Sequence, residues 1–261
     1  MDDVPYWTEV MEHLPALPLR YRWLREYRRV RSDERATTHH LQRMLSLALI
    51  MKHYHYDSIK IMENSSVVLQ DVVFNSVLAA ANESLERLAE VAARPLPPEL
   101  HQRFAPTRRA IEGLWDNETH QFYSRSYHTG KPILVPTIAT FMPLFAGTAS
   151  PARAEQLRRL LRTGVTFGAD YPVPVVPVSS PLFEPNRYWR GPVWINFNWF
   201  IIRGLERYGF TEDAERLRQS TLGLVEQSGF REYFNPLTGD GLGGENFSWT
   251  AALTLDLLKH T

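Results

Sequence analysis

Three stretches of the chain combine carboxylates, aromatic rings and glycines, which are residue types that bind and cleave small polar molecules. They span residues 1–7, 186–196 and 230–249. Functional groups of this kind concentrate in loops that a rigid scaffold positions. The three stretches are therefore the candidate parts of a binding or catalytic site.

The third stretch contains the best candidate for a general base. Glu232 lies between Arg231 and Tyr233, just beyond a predicted helix end at Gly229. Hydrogen bonds to its carboxylate would keep it ionised and able to accept a proton. A solvated loop glutamate is the alternative interpretation. Glu245 competes for the same role, although an acid at a helix start is often only a partner of the helix dipole.

The middle stretch has the composition of a sugar-binding wall. Aromatic faces stack on sugar rings, and a guanidinium donates to hydroxyl or carboxylate oxygens. The side chains that could do so here are Tyr188, Trp189, Arg190 and Trp194. An aromatic-rich packed turn is the alternative interpretation, and Trp199 further along is expected in the core.

The elements that would position these groups are mainly helices, because apolar residues recur at spacings of three and four. The pattern predicts helices at about 38–54, 67–92, 98–115, 136–145, 151–162, 191–208, 211–228 and 246–258. Five prolines predict that 171–185 is an extended loop. The single strand candidate is a short hairpin arm at 121–126.

Two features of these helices bear on the architecture. The helix at 191–208 is apolar almost all round, whereas 211–228 is amphipathic, which predicts one inner and one outer helix. Such alternation favours a helical toroid over the alternative, an irregular α-helical bundle. The helix at 67–92 carries one apolar stripe, formed by Phe74, Val77, Leu78, Ala81, Leu85, Leu88 and Ala92.

Composition excludes several classes of function. The chain has 261 residues, and its 29 basic and 29 acidic residues cancel, so no charge surplus supports binding to nucleic acid or anionic lipid. The absence of cysteine excludes disulfides, thiolate metal sites and a cysteine nucleophile. No apolar run approaches the roughly 20 residues that span a bilayer. We therefore expect a cytoplasmic protein with a small-molecule partner and no membrane association, and leave homo-oligomer formation open.

Histidines are the remaining candidates for a metal site. They are His13, His39, His40, His53 and His55. His53 and His55 are better explained by the end of a helix, where a cationic side chain favours the dipole. We expect no metal site.

Four motifs carry a resemblance to a known family. They are Gln-Asp-Val-Val-Phe-Asn at 70–75, Tyr-Trp-Arg-Gly-Pro-Val-Trp-Ile-Asn at 188–196, Glu-Tyr-Phe-Asn-Pro-Leu-Thr-Gly at 232–239 and Phe-Ser-Trp-Thr-Ala-Ala at 247–252. With these motifs in this order, the chain resembles glycoside hydrolase family 63, and within it the bacterial mannosylglycerate and glucosylglycerate hydrolases. The resemblance runs from the first residues to the last.

The resemblance implies an inverting glycosidase that needs no metal or organic cofactor. It places the general acid on Asp2, although Asp3 and Val4 stand where the family usually has Asn and Ser. It places the general base on Glu232, with the two carboxyl groups roughly 6.5–9.5 Å apart. Trp189 and Trp194 would flank the sugar, and the remaining substrate contacts are assigned to Tyr6, Trp7, Tyr188, Arg190, Asn246 and Trp249.

The resemblance also implies a fold. The family has a single (α/α)6 toroid of twelve helices, the six-hairpin glycosidase type, and residues 1–261 hold about eight of them. We expect the missing N-terminal helices to lie outside this chain, and the chain alone to be poorly active. Two alternatives stay open: a non-catalytic carbohydrate-binding fragment, and another toroid enzyme such as a trehalase-like α-glucosidase, a polysaccharide lyase or an isomerase.

Overall fold

The computed structural model describes residues 5–17 and 31–259. The predicted acid Asp2 lies outside them. The α-helices of the described part are α1 (Pro5–Met11), α2 (Thr38–His53), α3 (Ser58–Asn64), α4 (Val72–Val91), α5 (Pro98–His101), α6 (Phe104–Glu112), α7 (Met142–Ala146), α8 (Pro151–Arg162), α9 (Ile195–Arg207), α10 (Thr211–Ser228) and α11 (Ser248–Leu258). Two 3-10 helices, at Ser32–Glu34 and Ile138–Phe141, complete the helices of these ranges.

Local capping signals explain why α2, α8 and α10 match their predicted bounds. The Thr37 hydroxyl accepts the backbone N–H of His40 at 3.2 Å at the start of α2. The Ser150 hydroxyl accepts that of Arg153 at 3.4 Å at the start of α8. After α10, Gly229 has a φ of +75°, which glycine adopts without steric cost. The predictions for these three helices are confirmed.

Other helix predictions need correction. The helix expected at 67–92 begins only at Val72, because Asp71 caps it by accepting the backbone N–H of Phe74 at 2.8 Å. The stretch 98–115 divides into α5 and α6. The pattern does not reveal α1 and α3, since seven residues hold too little apolar periodicity to be distinguished from a loop.

The strand prediction was only partly right. Six two-residue strands form three antiparallel pairs in the described part: β1 (Leu69–Gln70) with β4 (Arg125–Ser126), β2 (Trp115–Asp116) with β3 (Gln121–Phe122), and β5 (Tyr233–Phe234) with β6 (Gly241–Leu242). The stretch 121–126 is thus not one arm, because β3 and β4 pair with different partners. Two residues are too few to show the alternation of a strand.

Four helices, α4, α7, α9 and α11, form a row in which each contacts the next. Helix α6 packs on α4, and α10 packs on α9 and α11. Gly204 permits the contact between α9 and α7, since a Cβ at this position would lie 2.7 Å from Leu144 Cβ. Within the described residues this row does not close into a barrel, which agrees with an incomplete toroid.

The apolar stripe of α4 does not face the core, as such a stripe usually does. Phe74 is 71% exposed and Leu88 is 64% exposed. The buried positions of α4 are instead Val72, Val73, Ser76 and Ala79. At the other end of the row, α11 leaves Trp249, Leu255 and Leu258 exposed. Both ends of the row therefore present apolar side chains to solvent.

An ion-pair cluster joins α8 to the first turn of α10. Asp213 is 3% exposed and accepts hydrogen bonds from Arg158, Arg162 and Arg216. Burial alone would raise the pKa of Asp213, but the hydrogen bonds from Arg162 and Arg158 outweigh it, so this pKa is lower than usual. The charged form of Asp213 therefore stabilises the folded chain.

Replacing Asp213→Asn is expected to lower the free energy of unfolding at pH 7 by about 2 kcal/mol, because partly exposed guanidinium groups lose their shared anion. The pKa of Asp213 is lower in the folded chain than in the unfolded chain, where it is about 3.9. The stabilisation by its charge is therefore complete above about pH 3.9 and is lost as the pH falls through the pKa of the folded chain. Urea unfolding at pH 7 and pH 3 measures both effects, with the exposed Asp240→Asn as control. Equal stability of variant and parent at pH 7 would contradict this.

Candidate active site

Glu232 lies directly before β5, and it is only 8% exposed. The backbone N–H of Gly244 donates to its Oε2 at 2.9 Å. Arg35 donates from Nη1 to Oε1 at 3.2 Å and from Nη2 to Oε2 at 3.0 Å. A solvated loop glutamate is therefore the wrong interpretation of this residue. Its role as the general base stays a prediction.

The hairpin of β5 and β6 explains how the sequence positions this carboxylate. Beyond the two strands, the backbone N–H of Glu232 donates to the Gly244 carbonyl at 3.0 Å. Gly243 has a φ of +67°, and a Cβ on it would lie 2.6 Å from Glu232 Oε2. Only glycine fits at this position, because the conformation is left-handed and the carboxylate occupies the space of a side chain.

Glu245, the competing candidate, has a different environment. Its side chain is 74% exposed, and it accepts a hydrogen bond from Arg231 Nη1 at 2.7 Å. An exposed ion pair at a loop surface contributes little to binding or to control of a proton. The surroundings of the two acids favour Glu232 as the base.

Arg35 is a site residue that the sequence pattern did not reveal. It lies 197 residues from its partner Glu232, directly after the 3-10 helix at Ser32–Glu34. Its guanidinium also lies 5.1 Å from the centre of the Tyr188 ring. Burial lowers the pKa of Arg35, but the Glu232 charge and its hydrogen bonds outweigh this, so the pKa is raised. Arg35 therefore links the predicted base to the aromatic residues.

The aromatic residues of 186–196 form a buried stack. Trp189 and Trp194 are each 3% exposed, and their rings are stacked with centres 3.7 Å apart. Trp194 also stacks with Tyr233, with ring centres 4.9 Å apart. Tyr188 lies edge-on to all three rings. The sequence analysis expected the two tryptophans to flank a sugar; they lie instead against each other, so their contact with substrate stays a prediction.

Trp249 is the accessible aromatic residue among the predicted substrate contacts. It is 45% exposed, and its ring centre lies 6.5 Å from that of Trp194 in an edge arrangement. Asn246 is also exposed and adopts a φ of +53° in the turn before α11. Trp249 is thus more accessible than the rings of the buried stack, and its contact with substrate stays a prediction.

Helix α1 brings the N-terminal stretch to the same region. The Tyr6 hydroxyl donates to Asp71 Oδ2 at 2.6 Å, and burial followed by the Asp71 charge raises the pKa of Tyr6 well above its usual value. Arg190 donates to the Thr8 hydroxyl at 3.0 Å. Trp7 is half-buried and lies 6.3 Å from the Tyr6 ring. Helix α1, which contains the described end of the first stretch, thus contacts the second stretch through Thr8.

Tyr6 and Trp7 are partners of other side chains within the fold, and their contact with substrate stays a prediction. Asp2 lies outside the described residues, so its distance from Glu232 also stays a prediction. Among residues 5–17 and 31–259, no group of three histidine or acidic side chains is placed to hold a metal ion. In the same ranges, no helix is long and apolar enough to cross a membrane.

Comparisons with known proteins show the family to which this chain belongs. Residues 1–250 match the family model described as "Mannosylglycerate hydrolase MGH1-like glycoside hydrolase domain". The mannosylglycerate hydrolase of Thermus thermophilus is 41% identical over 256 residues, which cover 98% of this chain and 61% of that protein. The glucosylglycerate hydrolase of Mycolicibacterium hassiacum is 30% identical and covers 99% of this chain and 59% of that protein.

A solved structure shows the same fold. A family 63 mannosylglycerate hydrolase from Thermus thermophilus, in complex with Tris and D-glycerate, matches with a TM-score of 0.93 and 40% identity over 99% of this chain and 62% of that one. This confirms the predicted fold class. The chain spans about three fifths of the length of these relatives. Since the match extends over almost all of its residues, the chain belongs to the mannosylglycerate hydrolase-like glycoside hydrolases of family 63.

Proposed function

We propose that this chain carries most of the active site of an inverting glycoside hydrolase that acts on α-linked mannosides or glucosides with a small polar aglycone, such as glycerate. The observation that supports this best is the environment of Glu232, a buried carboxylate between the Arg35 guanidinium and the Gly244 N–H. Two relatives that match nearly the whole chain are named for the hydrolysis of mannosylglycerate and glucosylglycerate.

The proposed mechanism is a single displacement. Asp2 gives its proton to the glycosidic oxygen while Glu232 takes a proton from a water molecule on the opposite face of the sugar. Among the described residues, Glu232 Oε2 accepts from Arg35 and Gly244, whereas Oε1 accepts from Arg35 alone. Because a carboxylate oxygen has two acceptor sites, Oε1 is the oxygen that can also receive the attacking water.

The stereochemistry of the product tests this mechanism. Hydrolysis of an α-linked mannosylglycerate or glucosylglycerate is expected to release the β-anomer first, because the water attacks from the face opposite the leaving group. Proton NMR of the anomeric signals in the first minutes of the reaction measures this before mutarotation. Initial release of the α-anomer would contradict single displacement. An unsaturated or isomerised product would indicate the lyase or isomerase alternative.

We further propose that the exposed faces of α4 and α11 are covered by a helical segment equivalent to the two fifths of the relatives that this chain does not match. Six large apolar side chains on α4 are exposed: Phe74, Val77, Leu78, Leu85, Leu88 and Val91. Apolar patches of this extent usually mark an interaction surface. A segment that contacts both ends of the helix row would complete a ring, and would supply the packing around Asp2 that a catalytic acid needs.

Cysteine labelling tests this, since the chain has no cysteine of its own. We expect Leu85→Cys on α4 and Ala252→Cys on α11 to react rapidly with a maleimide in the isolated chain. In a fusion to the unmatched part of the Thermus thermophilus hydrolase, which keeps the two parts at a high effective concentration, both should react at least about ten times more slowly. Glu226→Cys, exposed on α10, is the control and should not change. Equal rates at 85 and 252 in the chain and the fusion would overturn the proposal.

A further inference from the structure

The 3-10 helix at Ser32–Glu34 places a second buried carboxylate beside the predicted base. Glu34 is 7% exposed, and its Oε2 accepts the backbone N–H of Gly243 at 2.8 Å. Its own carbonyl accepts the Tyr233 hydroxyl at 2.6 Å and the backbone N–H of Tyr188 at 3.2 Å. The sequence analysis gave this residue no role, since it lies 209 residues from Gly243.

Two successive backbone N–H groups, those of Gly243 and Gly244, connect Glu34 to Glu232. The N–H of Gly243 donates to Glu34 Oε2 at 2.8 Å, and the N–H of Gly244 donates to Glu232 Oε2 at 2.9 Å. The Gly243 carbonyl accepts from Arg231 Nη2 at 3.2 Å. Two successive glycines have an unusually free backbone. The direction of the Gly244 N–H therefore depends on these hydrogen bonds.

We propose that Glu34 is a positioning residue for the reaction: it holds Gly243 so that the Gly244 N–H fixes the orientation of the Glu232 carboxylate. This inference rests on the proposed function, in which Glu232 is the base. The same turn of chain provides Arg35, which binds the other side of Glu232. The segment at 31–37 thus orients the base twice, once directly through Arg35 and once through the backbone at Gly243.

Two substitutions separate this role from a simple effect of negative charge. Glu34→Gln keeps the length of the side chain and an oxygen that accepts the Gly243 N–H, but it removes the charge. Glu34→Asp keeps the charge, but its side chain is one methylene shorter, which moves the carboxylate away from the Gly243 N–H. Positioning predicts that Gln leaves kcat within about twofold of the parent, and that Asp lowers kcat by about tenfold with KM unchanged, because a misoriented base affects the chemical step.

Asp33→Ala is the matched control, because Asp33 is the neighbouring acid of the same 3-10 helix and pairs with the exposed Arg31. It should leave kcat and KM unchanged. A loss of kcat in the Gln variant would assign Glu34 a role through its charge, and would overturn the proposal. Full kcat in both Glu34 variants would overturn it as well.

A second measurement does not require turnover. With [15N]glycine labelling, the amide spectrum of the chain is limited to its 14 glycines. Glu34→Asp should weaken the hydrogen bonds of Gly243 and Gly244 and move both amide proton signals upfield, whereas Glu232→Gln should move Gly244 more than Gly243. An unchanged Gly244 signal in Glu34→Asp would refute positioning through this turn. If neither the chain nor its fusion to the unmatched part of the Thermus thermophilus hydrolase hydrolyses a glycoside, the proposed function fails, whereas these spectra still show whether Glu34 orients the Gly244 N–H.

Discussion

Glu232→Gln is expected to lower kcat for mannosylglycerate or glucosylglycerate by roughly 10³-fold, while substrate affinity stays within a few-fold of the parent. The glutamine amide cannot accept the proton of the attacking water. It has nearly the shape of the acid, and an amide oxygen at the Oε2 position can still accept from the Gly244 N–H and from Arg35 Nη2. The loss should therefore appear in the chemical step and not in binding.

Initial rates of sugar release and calorimetric titration with the substrate measure the two effects separately. Glu245→Gln is the matched control, since it changes the other acid of the same loop, whose side chain is 74% exposed. It should retain the parent kcat. A normal kcat in Glu232→Gln would remove Glu232 from the mechanism. If the fusion to the unmatched part of the Thermus thermophilus hydrolase also binds sugar without turnover, and Glu232→Gln in that fusion binds equally well, the carbohydrate-binding fragment becomes the better interpretation.

How much of the fold could be predicted depends on whether a signal is local. The start of α8 follows from Ser150 and Pro151, and the end of α10 follows from Gly229. The exposure of the α4 stripe could not be predicted, because periodicity shows that a helix has an apolar face but not what covers it. Ser76 and Ala79, which face the core, are too small to stand out in a hydrophobic pattern.

The candidate site divides in the same way. Glu232 and the aromatic residues of 186–196 could be predicted as site residues, because acids, aromatic rings and glycines are concentrated in the short stretches that contain them. Glu34 and Arg35 belong to no such stretch, and their role arises from contacts with residues about two hundred positions away. The glycine at position 243 was nevertheless a sequence signal of a close contact between the backbone and another group. Its φ of +67° is left-handed, and the buried Glu232 carboxylate occupies the space that a Cβ would need.

The predicted acid can be distinguished from its neighbour by substitution and by the choice of leaving group. Asp2→Asn is expected to reduce kcat on mannosylglycerate by roughly 10³-fold, because the departing oxygen then receives no proton. On a glycosyl fluoride, whose leaving group needs little protonation, the same variant should lose much less. Asp3→Asn should remain close to the parent on both substrates. The reverse result, with Asp3 essential and Asp2 dispensable, would move the acid by one residue.

The same pair of substrates separates acid from base. Water must be activated whatever group departs, so Glu232→Gln should lose activity to a similar extent on mannosylglycerate and on the glycosyl fluoride. Asp2→Asn should be rescued only by the better leaving group. If both variants respond to the leaving group in the same way, then one carboxylate does not protonate the leaving group while the other activates the water. Single displacement by this pair would then be wrong. A difference between them would assign each carboxylate its step independently of any structure of the N-terminal residues.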